Sequence, residues 1–177
     1  FLAGLDQVND NLAADPLFCN PLFGNLNLYS TSVCAPASNP ACGLIGARPV
    51  VCGLGAATFV VRPDGSGDYP TIQAAINAAA DADTIALADG VFSGAGNRDL
   101  DYLGKGVVVR GLQRDPDLAI IDCGGSPATP HRGVRFFRGE NNFSVLQDVT
   151  IRNADVPGDG AGVLIENSSP RLTNVVF

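Results

Sequence analysis

Arg132, Arg135 and Arg138 recur every third residue, and Glu140 follows them. A guanidinium is planar, always charged, and carries a fork of donors that grips a carboxylate through two hydrogen bonds. Such groups on an outward strand face point to an anionic ligand, and an acidic polysaccharide supplies carboxylates in series. Arg135, Arg138 and Glu140 are therefore the candidate substrate-binding residues, against the plainer reading of a solvated strand face. His131 is the only histidine and sits between Pro130 and Arg132. A Ser/His/Asp site needs a nucleophile and an orienting acid beside its histidine. No serine is marked out for that role, so a loop histidine is expected and no catalytic residue is assigned. Asp155, Asp159 and Glu166 fall in a glycine-containing stretch. Oxygen ligands of this kind can hold Ca²⁺, but their spacing fits no calcium motif, and no other cofactor or metal is expected. Gly65-Ser66-Gly67 is flanked by Asp64 and Asp68, which would repel a phosphate. The rest of the phosphate-loop pattern is missing, so a turn is expected there.

Five cysteines are unevenly spread: Cys19, Cys34, Cys42 and Cys52 crowd the first third, and Cys123 stands alone. None forms a C-x-x-C pair, which argues against zinc. Four cysteines in a loop-rich segment with little apolar periodicity suit disulfides in an oxidising compartment. The spacing leaves the connectivity open, with Cys34–Cys42 and Cys19–Cys52 the favoured pairing and Cys123 the free thiol.

The elements that must position these residues are strands in a repeat. Val163 and Ile165 alternate with Leu164 and Glu166, a period-2 strand signal. Val134 and Phe136 carry the same pattern around Arg135, which should then point outward. Leu146, Val149 and Ile151 recur 26 residues on as Leu172, Val175 and Phe177. Val107 and Val109 are aligned with Val134 and Phe136, and Ile85 and Leu87 with Val107 and Val109. Repetition at such a period signals stacked coils, none of which could bury its apolar face alone. One helix is expected over 71–80. Thr71 can cap it, and Ile72, Ala75, Ile76 and Ala79 share one face. Asp81 and Asp83 are expected to end it, since carboxylates oppose the C-terminal dipole. A single helix followed only by strands suits the cap of a stack, where it covers apolar side chains and sheet edges.

Composition narrows the class further. The chain has 177 residues, 21 of them Gly and 12 Pro, with only 16% charged, which suits an all-β chain with many corners. Net charge is −7, so a nucleic acid is not the expected partner. No apolar run approaches the roughly 18 residues of a membrane span. Phe177 falls inside a strand of an unfinished repeat, so the chain is expected to be a fragment, monomeric within a longer protein.

Asp64-Gly65-Ser66-Gly67-Asp68-Tyr69-Pro70-Thr71-Ile72-Gln73-Ala74-Ala75-Ile76 resembles the N-terminal entry of pectinesterases and of the wider pectin-lyase-like family. So do Thr84-Ile85-Ala86-Leu87-Ala88-Asp89-Gly90-Val91-Phe92 and Ile120-Ile121-Asp122. The resemblance covers about residues 58–177 and implies a right-handed parallel β-helix with an N-terminal capping helix. Asp15-Pro16-Leu17-Phe18, Leu26-Asn27-Leu28 and Ser32-Val33-Cys34 resemble the closing segment of bacterial secreted β-helix proteins. The expected organisation is a Cys-bearing segment, 1–55, and the opening coils of a β-helix, 56–177. The family's paired catalytic aspartates belong to motifs that this chain lacks; Gln147-Asp148-Val149 is a partial echo in a structural repeat slot. The expected role is a secreted or cell-surface module, non-catalytic over this span, serving as a scaffold or contacting extracellular polysaccharide. The alternative is a truncated pectin-directed esterase or polysaccharide lyase.

Overall fold

The computed structural model describes residues 56–177 throughout, and before them the backbone of three short strands: β1 (Phe18–Asn20), β2 (Asn25–Tyr29) and β3 (Val50–Cys52). By its internal contacts the chain divides into two units, Phe1–Gly55 and Ala56–Phe177. In the first, β2 lies between β1, which it pairs antiparallel, and β3, which it pairs parallel. Cys34 and Cys42 lie outside the described residues, as do the side chains of Cys19 and Cys52.

The second unit is built mostly of strands, and its named strands pair only in parallel. They are β4 (Thr58–Val61), β5 (Thr84–Leu87), β6 (Gly90–Ser93), β7 (Leu100–Asp101), β8 (Val108–Gly111), β9 (Ala119–Asp122), β10 (Val134–Phe136), β11 (Val145–Arg152), β12 (Val163–Ile165) and β13 (Arg171–Val176). They form three ladders. The first runs β4, β5, β8, the start of β11, and β13; the second runs β6, β9 and the end of β11; the third runs β7, β10 and β12. The chain visits the ladders in turn. β11 serves two of them, because it bends at Asp148, whose φ is 53°. Asn174, 26 residues later in β13, repeats the bend at φ 52° and donates from Nδ2 to Asp148 Oδ1 at 2.8 Å. Asn and Asp tolerate this left-handed conformation better than most residues do, so the corner is written in both strands.

The register upholds part of the repeat and corrects part of it. Val134 and Phe136 pair with Val163 and Ile165, and Leu146 and Val149 pair with Leu172 and Val175. Val109, however, pairs with Ile85 and Leu146, whereas Val134 pairs with Leu100. Aligning Val107 and Val109 with Val134 and Phe136 thus merges two ladders. Period-2 alternation says which side chains point inward, and every ladder has the same alternation. The inward side chains make one core, with Ile85, Leu87, Phe92, Leu100, Tyr102, Val109, Ile121, Val134, Phe136, Leu146 and Ile151 all buried.

Helix α1 spans Ile72–Ala78, shorter than the 71–80 expected. Thr71 is its N-cap, and its hydroxyl accepts from the Ala74 N–H at 3.2 Å. Ile72, Ala75, Ile76 and Ala79 are buried as the spacing requires. The C-terminal end differs from expectation. Lys105 Nζ donates to the carbonyls of Ile76, Asn77 and Ala79, each at 2.8 Å, so an ammonium satisfies the helix end. Asp81 and Asp83 instead accept backbone N–H groups, from Gly106 and from Ala57 and Ala80. The helix also covers the free edge of β7. Gln73 Nε2 donates to the Asp101 carbonyl, and the Asp101 N–H donates to Gln73 Oε1, both at 2.9 Å. The side-chain amide stands in for the peptide group of a missing neighbour strand.

Candidate functional site

The third ladder carries the charged residues. Inward Leu100, Val134 and Phe136 are fully buried, which turns Asp101 and Arg135 outward at paired positions, with Leu164 of β12 on the other side of Arg135. Arg135 Nη2 donates to Glu166 Oε2 at 2.8 Å, and its Nε reaches the same oxygen at 3.3 Å. Arg138 grips Asp101, with Nε to Oδ1 at 3.2 Å and to Oδ2 at 3.0 Å. Both guanidiniums lie over the Phe137 ring, with Cζ 4.0 Å from its centroid for Arg135 and 4.7 Å for Arg138. The π-face favours a cation there and fixes both side chains.

Beside this set lies an open depression of about 300 Å³, lined by Asp99, Asp101, Arg132, Arg135 and Phe137. Asp99 sits at φ 53°, and its carboxylate accepts from the Arg132 N–H at 2.7 Å and pairs with His131 Nδ1 at 2.8 Å. His131 is thus a hydrogen-bond partner of an exposed aspartate. Arg132 Nη1 donates to the carbonyls of Asp159 and Gly160. Every charged group on the rim is held by a neighbour, usually one distant in sequence. The surface therefore presents planar donors and acceptors that are already paired within the protein.

Arg135 and Arg138 lie on this face as expected. Glu140 does not present itself to a ligand: it is 1% exposed. Its Oε1 accepts from the Gly104 N–H at 2.9 Å, and its Oε2 from the Arg138 N–H at 2.8 Å and the Ser168 hydroxyl at 2.9 Å. Burial pushes its acidity one way, raising the pKa, but the donated hydrogen bonds outweigh burial and hold it below the usual carboxylate range. Glu140 is a staple joining three segments of the chain. Asp148 is likewise buried, taking hydrogen bonds from Gln147 and Asn174. Asp155 meets His131 through backbone bonds, and Asp159 gives its carbonyl to Arg132. Among the described residues no three His, Cys, Asp or Glu side chains gather in a metal-ligating group. Gly65-Ser66-Gly67 forms a turn in which Asp64 Oδ1 accepts from the Ser66 N–H and hydroxyl.

Asp99, Asp101 and Phe137 belong to the site and were not singled out from sequence. Asp99-Leu100-Asp101 carried the available signal, since a buried residue between two acids on a strand puts both acids outside. Comparison with protein-family models, curated proteins and solved structures finds no match.

Proposed function

We propose that residues 56–177 are the opening coils of a right-handed parallel β-helix, part of a secreted or cell-surface module that contacts acidic polysaccharide through the β7–β10–β12 face. Three parallel ladders visited in order support the fold reading, as does a helix that covers a strand edge through Gln73. Parallel crossovers are right-handed in nearly all proteins. The cluster of cysteines in residues 1–55 supports an oxidising location.

One observation carries the functional reading: Arg135 and Arg138 are held in fixed orientations over Phe137, beside an open depression. The guanidinium forks suit sugar carboxylates and hydroxyls. Catalysis is not part of the proposal for this span. Hydrolysis or elimination needs acid and base groups free to exchange protons at the scissile bond, whereas Asp99 and Asp101 are both tied to cationic or backbone partners.

The test is equilibrium binding of oligogalacturonate to the whole chain and to Arg135→Ala, together with turnover of methylated and demethylated pectin with and without Ca²⁺. Weak binding that Arg135→Ala lowers and salt screens, without turnover, is the expected result. Turnover abolished by Asp99→Asn or Asp101→Asn would replace this reading with a pectin-directed esterase or lyase.

A further inference from the structure

We propose that Glu166 is an internal rival of the sugar carboxylate: it occupies the donor fork of Arg135 and so sets how strongly this face prefers acidic over neutral sugars. The inference rests on the polysaccharide reading above.

Arg135 has one guanidinium face against Phe137. Its edge therefore supplies the directional hydrogen bonds that an anion would use. Two donors on that edge, Nε and Nη2, both point at Glu166 Oε2. Glu166 follows β12, one coil away, and its N–H donates to the Phe136 carbonyl at 2.8 Å. That backbone bond fixes the carboxylate beside Arg135 while leaving the pair open to solvent, with side chains 45% and 46% exposed. Among the described residues Arg135 is the one side-chain partner of Glu166. Unlike Glu140, which is buried and holds three donors, Glu166 can release its partner into solvent.

Charge strengthens the argument. Two aspartates and two arginines line the depression, so their formal charges cancel. A uronate approaching a chain of net charge −7 meets no local surplus of positive charge while Glu166 stays paired. Displacing Glu166 exchanges one carboxylate for another on the same fork and leaves the displaced one nearby as a like charge. A neutral sugar makes no such exchange. Glu166 thereby lowers affinity for acidic sugars selectively.

The experiment compares wild type, Glu166→Gln and the double variant Arg135→Ala/Glu166→Gln in binding oligogalacturonate and its fully methyl-esterified, neutral form. Exposed ion pairs are weak, so Glu166→Gln should tighten oligogalacturonate binding about 3- to 5-fold. It should leave the neutral oligomer unchanged. The gain should vanish in the double variant and shrink at about 0.5 M salt. Melting curves of each variant check the fold, and Glu166→Ala, which removes the carboxylate without adding an amide, should reproduce the gain. Equal or weaker oligogalacturonate binding by both Glu166 variants overturns the inference and, if wild type binds, leaves the polysaccharide reading standing. No binding of either oligomer by any variant overturns both.

Discussion

At the residue scale, buried polar groups carry the structure and exposed ones carry the proposed function. Glu140 and Glu166 show the division. Both are acids near arginines, yet Glu140 takes three donors inside and Glu166 one partner outside. Glu140→Ala should cost about 2–3 kcal/mol, because it removes a buried carboxylate that accepts from two backbone N–H groups and a hydroxyl. Its pKa is lowered in the folded state, so the unfolded chain binds the extra proton. The stabilisation is present above the unfolded value of about 4.3 and is lost as pH falls through the folded one. Chemical denaturation between about pH 7 and pH 3 should show a steeper acid loss in wild type than in Glu140→Ala. Cys123 is fully buried, and burial, with Asp99 and Asp122 nearby, pushes its thiol up to about 11. The thiolate is the reactive form. Alkylation of Cys123 at about pH 8 should therefore be negligible in the folded protein and rapid in denaturant, as peptide mass mapping would show.

At the element scale, polar side chains solve the problems that helix ends and strand edges create. The last carbonyls of α1 have no partners within the helix, and the chain's single lysine supplies them from the loop after β7. Burial lowers the Lys105 pKa, with Asp81 and Asp83 pulling it back. Lys105→Met keeps the aliphatic stem and removes the donors. It should destabilise the protein by about 2–3 kcal/mol, read as a lower midpoint in urea unfolding. Gln73 plays the matching role at the edge of β7, where an unpaired strand would invite association with another chain. Gly133 marks a different constraint, close packing against neighbouring segments of the chain. A Cβ there would lie 2.4 Å from the Gly162 carbonyl and 2.7 Å from Ile151 Cγ2. Its requirement is space between backbones, since it does not appear among the positive-φ residues.

At the scale of the whole molecule, the two units have different physical bases. Residues 56–177 hold one continuous apolar core shared by the three ladders. Residues 1–55 hold four of the five cysteines. If these form two bridges, thiol titration of the denatured, unreduced protein finds one free thiol per chain, Cys123. Five would remove the disulfide proposal and, with it, the argument for an oxidising compartment. Each bridge is expected to contribute about 2–4 kcal/mol, so reduction should lower the stability of the first unit before that of the second.

Sequence alone determined the features that depend on near neighbours in the chain. Alternation around Arg135 put it outside with Val134 and Phe136 inside, because successive strand side chains must point to opposite faces. The helix and its Thr71 cap follow from spacing over a few residues. Only the tertiary structure decided which ladder each strand joins, because the three ladders share one apolar alternation and differ only in where the chain turns. It alone decided the roles of the charges, too. Arg135 meets Glu166 across 31 residues and Arg138 meets Asp101 across 37. The loops between strands vary in length, so no fixed spacing announces such pairs. Glu140 lies two residues beyond Arg138, yet the chain folds it inward because donors from two other segments, at Gly104 and Ser168, converge there. A buried carboxylate is tolerated where such donors meet it, and their meeting is a property of the tertiary fold.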